Sequence, residues 1–383
     1  MKHAQLFALA ALILAPWAML HAADAKKATL RKGDPYARFP ADMKIVKDIV
    51  FKQVGQTKLD LLLFLPLEKK FERSPLVVFI HGGGFGGGDK FHVLRRDAIG
   101  VVHDLNRQGV TCASIEYRLA DGGVATVKDS VADCKDAVRF LAKHAAQYGL
   151  DPERIGTFGE SAGGHLTLVT ALGSDRDYPC DPAFEGPPVK ICCAAAYYPL
   201  VSFVDPTLMK DSNFERPERL LPILGGLLEE KRELATKLSP IELLRADSPA
   251  IFLAHGDADT TVACRNSTAM RDAALAKKVP VECIISRGAK HGFGGETIDP
   301  TVAEINRRTV VFFMKYLSHH KTTSCQQTLA KVKGFRIVAM HPNLSWETNW
   351  SGVGGGACLD LSIQQQMKNN ILLYVGCQSV ATA

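Results

Sequence analysis

The sequence predicts an α/β fold: a doubly wound, mostly parallel eight-stranded sheet with helices on its faces and a short cap segment. Three observations carry this. From about residue 48, strand-like and helix-like segments alternate along a chain of 383 residues. Leu76-Val77-Val78-Phe79-Ile80 is an unbroken apolar run, as a strand buried on both faces requires. Residues 126–148 place Val127, Val131, Cys134, Val138, Leu141, Ala145 and Tyr148 three and four apart, which is one face of a helix.

The elements follow in order. Residues 48–53 and 58–65 read as an opening hairpin, 76–80 as the first fully buried strand, 94–108 as a helix and 110–116 as the next strand. The long helix ends at Gly149, where a residue free to turn left-handed is expected, and Asp151-Pro152 blocks its continuation. A short strand at 155–158 leads into a helix that opens after Ser161. Strands at 190–197, 250–254 and 281–286 complete eight, with helices near 263–277 and 302–318. Residues 203–246, holding Pro217, Pro222 and Gly225-Gly226, read equally well as a cap over the site or as a surface loop with a helix.

Composition narrows the class. With 46% apolar and 22% charged residues the chain suits a globular protein, and a net charge of +6 without Lys/Arg runs gives no footprint for nucleic acid. Lys2 and His3, an apolar run over residues 6–20 and Ala22-Ala23-Asp24-Ala25 read as a signal peptide over 1–25. The run falls short of the roughly 20 residues a membrane anchor needs, so the expected product is a secreted or periplasmic chain with no membrane span. The catalytic domain is expected over 26–320. Residues 321–383, with Trp346, Trp350 and a Gly354-Gly355-Gly356 run, form an extension with no recognisable module.

Among the ten cysteines, Cys112, Cys134, Cys192 and Cys193 fall in core-like segments, whereas Cys180, Cys325, Cys358 and Cys377 are the better bridge candidates. No C-x-x-C or H-E-x-x-H pattern supports a metal site, and no cofactor is expected.

The chemistry is carried by four loops that follow strands. Gly159-Glu160-Ser161-Ala162-Gly163-Gly164 stands between a strand and a helix, where a G-x-S-x-G turn exposes its serine as a nucleophile. His81-Gly82-Gly83-Gly84-Phe85 follows the strand ending at Ile80, and its bare backbone offers the N–H groups of Gly83 and Gly84. With the N–H of Ala162 these would form an oxyanion hole, each donor worth about 2.7–4 kcal/mol in a transition state. His81 is expected to organise the loop. A serine also needs a base held by an acid. His291, on the loop after 281–286, is the expected base, and Asp259, on the loop after 250–254, the expected acid. Asp257 competes with Asp259 and is assigned to the turn; His165 is expected to be packed. Phe85 and Phe293, beside these loops, are the expected substrate contacts.

Together with Tyr117-Arg118-Leu119 and Asp133-Cys134-Lys135, these motifs give residues 45–318 a pattern that resembles the bifunctional feruloyl and acetyl esterases, a group similar to the hormone-sensitive-lipase-like esterases of the α/β-hydrolase fold. The resemblance implies hydrolysis of a small-molecule or carbohydrate ester without metal or organic cofactor. It implies Ser161 as nucleophile, Asp259 as acid, His291 as base, and Gly83, Gly84 and Ala162 as oxyanion donors. The chain departs from it after Phe85, where Gly86-Gly87-Gly88 suggests a widened entrance. Two other readings stand beside it. A prolyl-oligopeptidase-type peptidase shares the serine turn but carries a large upstream propeller, and a silent binding protein would not need all three catalytic groups.

Overall fold

The computed structural model describes residues 34–318 apart from 121 and 123. The expected signal peptide, the extension at 321–383 and Cys325, Cys358 and Cys377 lie outside the described residues. Eight strands form one sheet: β1 (Lys44–Val54), β2 (Thr57–Leu65), β3 (Ser74–Ile80), β4 (Thr111–Ile115), β5 (Leu150–Glu160), β6 (Ile191–Tyr197), β7 (Ala250–Gly256) and β8 (Val281–Ser286). Their order is β1-β2-β4-β3-β5-β6-β7-β8. β2 runs antiparallel to β1 and β4, and every other pairing is parallel. The parallel strands therefore end at one edge, where an open α/β sheet presents its loops to a ligand.

The helices cover both faces. On one side lie α1 (Arg96–Arg107) and α9 (Val302–Leu317), whose Val101, Val102, Leu105, Phe312 and Phe313 pack on Val77, Phe79 and Phe158. On the other lie α2 (Val127–Lys143) and α4 (Ala162–Leu172), with Val131, Val138, Leu166 and Val169 against Leu61, Val78 and Ile80. α8 (Arg265–Ala276) closes the β7–β8 end through Met270 and Ala274. Strands buried on both faces explain why β3 and β7 read as continuous apolar runs.

Two details differ from expectation. The helix expected over 126–148 is broken at His144, which leaves helical geometry and whose Nδ1 bonds the Phe140 carbonyl, so Ala145–Tyr148 forms a separate turn, α3. Gly149 ends that turn with φ +66°, as its position predicts. β5 begins at Leu150, because Leu150 already pairs with Ser74 before a register shift.

Residues 203–246 form a packed cap of three short helices, α5 (Pro206–Met209), α6 (Pro217–Leu224) and α7 (Arg232–Lys237). Phe203, Phe214, Leu220, Ile223 and Leu238 are buried in the same cluster as Phe85 and Ala162, so this is part of the core and not a loose surface loop.

A buried charge network braces the helix α2 against the sheet. Asp133, fully buried, accepts from the Arg118 backbone and guanidinium at 2.7–3.0 Å and meets Lys52 of β1 at 2.8 Å. Lys52 also meets Asp136 at 2.6 Å. On the same helix, Lys135 reaches the Thr170 and Gly173 carbonyls and so caps the end of α4, the helix that begins beside Ser161. Asp133→Ala should cost about 2 kcal/mol, because it removes the acceptor that Arg118 and Lys52 share and leaves them only Asp129 and Asp136. Urea unfolding with an unchanged slope would measure this, and a loss well under about 1 kcal/mol would show that the network is no brace.

Candidate active site

Five strand ends supply the site. β5 leads directly into Ser161, which has φ +55° and ψ −122°, a conformation a non-glycine residue holds only under constraint. The constraint is visible. The Ser161 amide donates to the Tyr197 carbonyl at 2.9 Å, and a Cβ on Gly163 would stand 2.0 Å from the Ile80 carbonyl oxygen. Only glycine allows that approach.

His291 and Asp259 arrive from the loops after β8 and β7. His291 Nε2 lies 2.9 Å from Ser161 Oγ, and His291 Nδ1 lies 2.6 Å from Asp259 Oδ2. Asp259 is buried, and its Oδ1 accepts from the Thr261 and Val262 amides at 2.8 and 3.0 Å. Burial pushes its carboxyl up, but hydrogen bonding to His255 and His291 outweighs this and holds it well below the usual carboxylate range. Asp257 instead accepts from the Gly288 amide at 2.7 Å, so it joins the β7 and β8 loops, and its link runs across them and not within its own turn.

The glycine loop after β3 lies against the nucleophile turn, since a Cβ on Gly82 would stand 3.3 Å from the Ser161 Cβ. Gly83, at φ +128°, and Gly84, at φ +63°, hold backbone geometry that side chains rarely adopt. His81 organises the loop: its Nδ1 bonds the Gly82 carbonyl at 2.8 Å, its carbonyl accepts from Tyr117 Oη at 2.8 Å, and Tyr117 stacks on its ring. Burial pushes the His81 imidazole down to about 4. His165 is packed likewise, bonded through Nδ1 to the Leu200 carbonyl.

Phe85 and Phe293 depart from expectation. Both side chains are fully buried, Phe85 against His165, Phe203 and Phe214, and Phe293 against Tyr197 and Tyr198. They support the loops from beneath and present no surface to a substrate. The Gly86–Gly88 run does not simply widen the entrance either. A Cβ on Gly88 would stand 2.4 Å from the Gly82 carbonyl oxygen, so this glycine lets the loop fold back on itself. The cap does reach the loop: Arg219 of α6 places Nη2 3.3 Å from where a Gly84 Cβ would be.

Three neighbours of the site carry little signal in the sequence. His255 lies 3.4 Å from Asp259. Tyr198, at the end of β6, packs its ring on His291 with centroids 4.6 Å apart, and Glu160 bonds Tyr198 Oη at 2.7 Å. A cavity of about 910 Å³ beside the β1–β2 hairpin is lined by Tyr36, Asp48, Asp60, Lys90 and Glu116, but none of Ser161, His291 or Asp259 borders it. Among the described residues no cluster of acids, histidines and cysteines could hold a metal ion.

This geometry, a half-buried strand-to-helix serine bonded to an imidazole and, through it, to a buried carboxylate, defines the α/β-hydrolase class. The BD-FAE family model, that of the bifunctional feruloyl and acetyl esterases, matches residues 59–274, and the chain belongs to this family. Two curated relatives from Mycobacterium tuberculosis are similar: the probable carboxylic ester hydrolase LipM, 29% identical over 49% of this chain and 42% of its own, and esterase LipQ, 27% identical over 63% and 56%. The chain thus spans about half the length of these relatives. Among solved structures, butyrate-bound Est2, a thermophilic esterase of Thermogutta terrifontis, is 25% identical with a TM-score of 0.59, covering 73% of this chain and 97% of that one.

Ser161→Ala and His291→Ala should each lower kcat on an activated ester by about 10⁴-fold or more with the melting temperature retained. Asp259→Asn should be far more damaging than Asp257→Asn, since only Asp259 touches the imidazole. Wild-type turnover in either of the first two, or the reverse ranking of the aspartates, would reassign the site.

Proposed function

We propose that the protein is a secreted serine esterase that hydrolyses short-chain carboxylic esters, with acetyl or feruloyl groups on carbohydrate as its substrate class. The observation that carries this is the unbroken hydrogen-bonded line from Ser161 through His291 to Asp259. Ser161 Oγ attacks the ester carbonyl while His291 takes its proton. The backbone N–H groups of Gly83, Gly84 and Ala162 receive the oxyanion, and Asp259 stabilises the imidazolium. His291 then returns the proton to the leaving alcohol. A water molecule, deprotonated by the same imidazole, releases the acid from Ser161. The imidazole must be neutral to begin, so activity falls on acidification.

Three considerations support short acyl groups. The cap turns Phe203, Phe214, Leu220 and Ile223 into the core, and so offers few of its apolar side chains to a long chain. Solved relatives hold butyrate and propionate. The family is that of feruloyl and acetyl esterases, whose esters join small acids to bulky alcohols. Secretion rests on the charged, apolar and small-residue stretches of residues 1–25.

A long acyl tunnel would gain about 0.8 kcal/mol for each CH₂ it buries, and kcat/KM would climb with chain length. The expected result over 4-nitrophenyl esters is instead a maximum between acetyl and butyryl with a decline by octanoyl, together with release of acetate from acetylated xylan or of ferulate from methyl ferulate. A maximum at decanoyl or beyond would make the enzyme lipase-like, and hydrolysis of an amide in preference to its matched ester would make it a peptidase.

A further inference from the structure

Directly behind the imidazole lies a buried polar cluster that the hydrolytic steps do not use. Tyr198 follows the last residue of β6 with φ +37°, a left-handed conformation that a bulky residue adopts at a cost, and its amide donates to the Ala254 carbonyl at 2.7 Å. Its ring packs against the rings of Phe293 and His291, with centroids 5.1 and 4.6 Å away. Its hydroxyl bonds two carboxyl groups: Glu160, the residue before the nucleophile, and Asp97, in the first turn of α1. All three side chains are buried.

Hydrogen counting limits the charge this cluster can hold. A phenol has one hydrogen and gives it to one carboxylate; a second carboxyl at hydrogen-bonding distance must bring its own proton or face the oxygen's lone pairs. Asp97 lies in the first turn of α1, and burial pushes the Glu160 carboxyl up. The second proton is therefore placed on Glu160, with Asp97 as the acceptor for the tyrosine. We propose that Tyr198 is a positioning residue for His291, its ring fixing the plane of the imidazole and its hydroxyl fixed in turn by one proton shared between Glu160 and Asp97. This rests on the esterase reading of the site.

Charge in the surroundings is consistent with it. Burial first, and then the negative charge of Asp97, push Glu160 up to about 8. The charged and titratable groups facing the cluster are Arg95, whose Nη1 is 3.6 Å from Glu160 Oε1, and the rings of His291 and His255. Arg95 is half exposed and stands beyond hydrogen-bonding distance, so it tempers the burial of Glu160 without replacing the proton. A carboxyl whose folded value is raised holds its proton longer in the folded chain than in the unfolded one. Folded stability therefore falls as pH rises from the ordinary glutamate value toward 8. Once Glu160 loses its proton, one hydrogen fewer is left to bind the phenol and two carboxyl groups together, and the tyrosine loses one of its two anchors.

The test compares wild type, Tyr198→Phe and Glu160→Gln on 4-nitrophenyl acetate from pH 6.5 to 9.5, with folding followed by circular dichroism. Tyr198→Phe keeps the ring and removes the anchor. Its kcat should fall by about tenfold or more with KM within about twofold, since bound substrate is untouched while the base is misplaced. Wild-type kcat should decline above pH 8, and this alkaline decline should vanish in Glu160→Gln, whose amide donates at every pH. The same variant should lose less melting temperature than wild type between pH 5 and 8. Wild-type kcat and pH profile in a folded Tyr198→Phe would overturn the proposal. So would an alkaline decline that survives in Glu160→Gln, which decides the matter even where Tyr198→Phe does not fold. Wild type inert toward every ester would instead remove the esterase reading, and this inference with it.

Discussion

The closeness of the turn at Ser161 to the end of β3 governs everything around it. Gly163 touches the Ile80 carbonyl so tightly that no Cβ fits, Gly159 is pressed in the same way on the Gly163 carbonyl, and Gly82 returns the contact against the Glu160 carbonyl. Such crowding holds the serine at a positive φ, and it leaves β3 as the strand whose following loop lies beside Ser161. The oxyanion loop is glycine-rich for the same reason: a chain passing this near another backbone has no room for side chains.

The end of β6 serves both Ser161 and His291. Through the Tyr197 carbonyl it accepts the Ser161 amide, and through the Tyr198 ring it meets His291. Ser161 and His291 are thus registered against Tyr197, the last residue of β6, and Tyr198, the next, although they lie 130 positions apart in the chain. Asp259 is fixed separately, by the Thr261 and Val262 amides of its own loop. A triad built this way keeps its geometry because each member is tied to the sheet edge and not merely to its partners.

The strands were legible in the sequence because burial on both faces leaves an unbroken apolar signature, and the meeting of Ser161, His291 and Asp259 because glycine and loop position mark them. What was not legible shares a different property. The Tyr198–Asp97 and Tyr198–Glu160 contacts join residues 101 and 38 positions apart through single hydroxyl bonds, and no periodicity announces them. The direction of Phe85 is equally silent: an aromatic beside a catalytic loop can face the substrate or the core, and the choice depends on Phe203 and Phe214, supplied by the cap. Nor does sequence distinguish a glycine that opens space from one, like Gly88, that lets two backbones touch.

The position of Phe85 ties the cap to the chemistry. Phe85 itself holds φ +68°, its carbonyl accepts from the Ala120 amide at 2.9 Å, and its ring packs on His165 of α4 and on Phe203 and Phe214 of the cap. The next residue back is Gly84, whose N–H is assigned to the oxyanion. A change in cap packing is therefore transmitted through Phe85 to the very backbone that must meet the developing charge, because a close-packed interior passes strain to its neighbours. In this fold the cap and the oxyanion loop form one mechanical unit. Under the proposed ester hydrolysis, substitutions that reshape the cap act on the oxyanion loop as well as on fit.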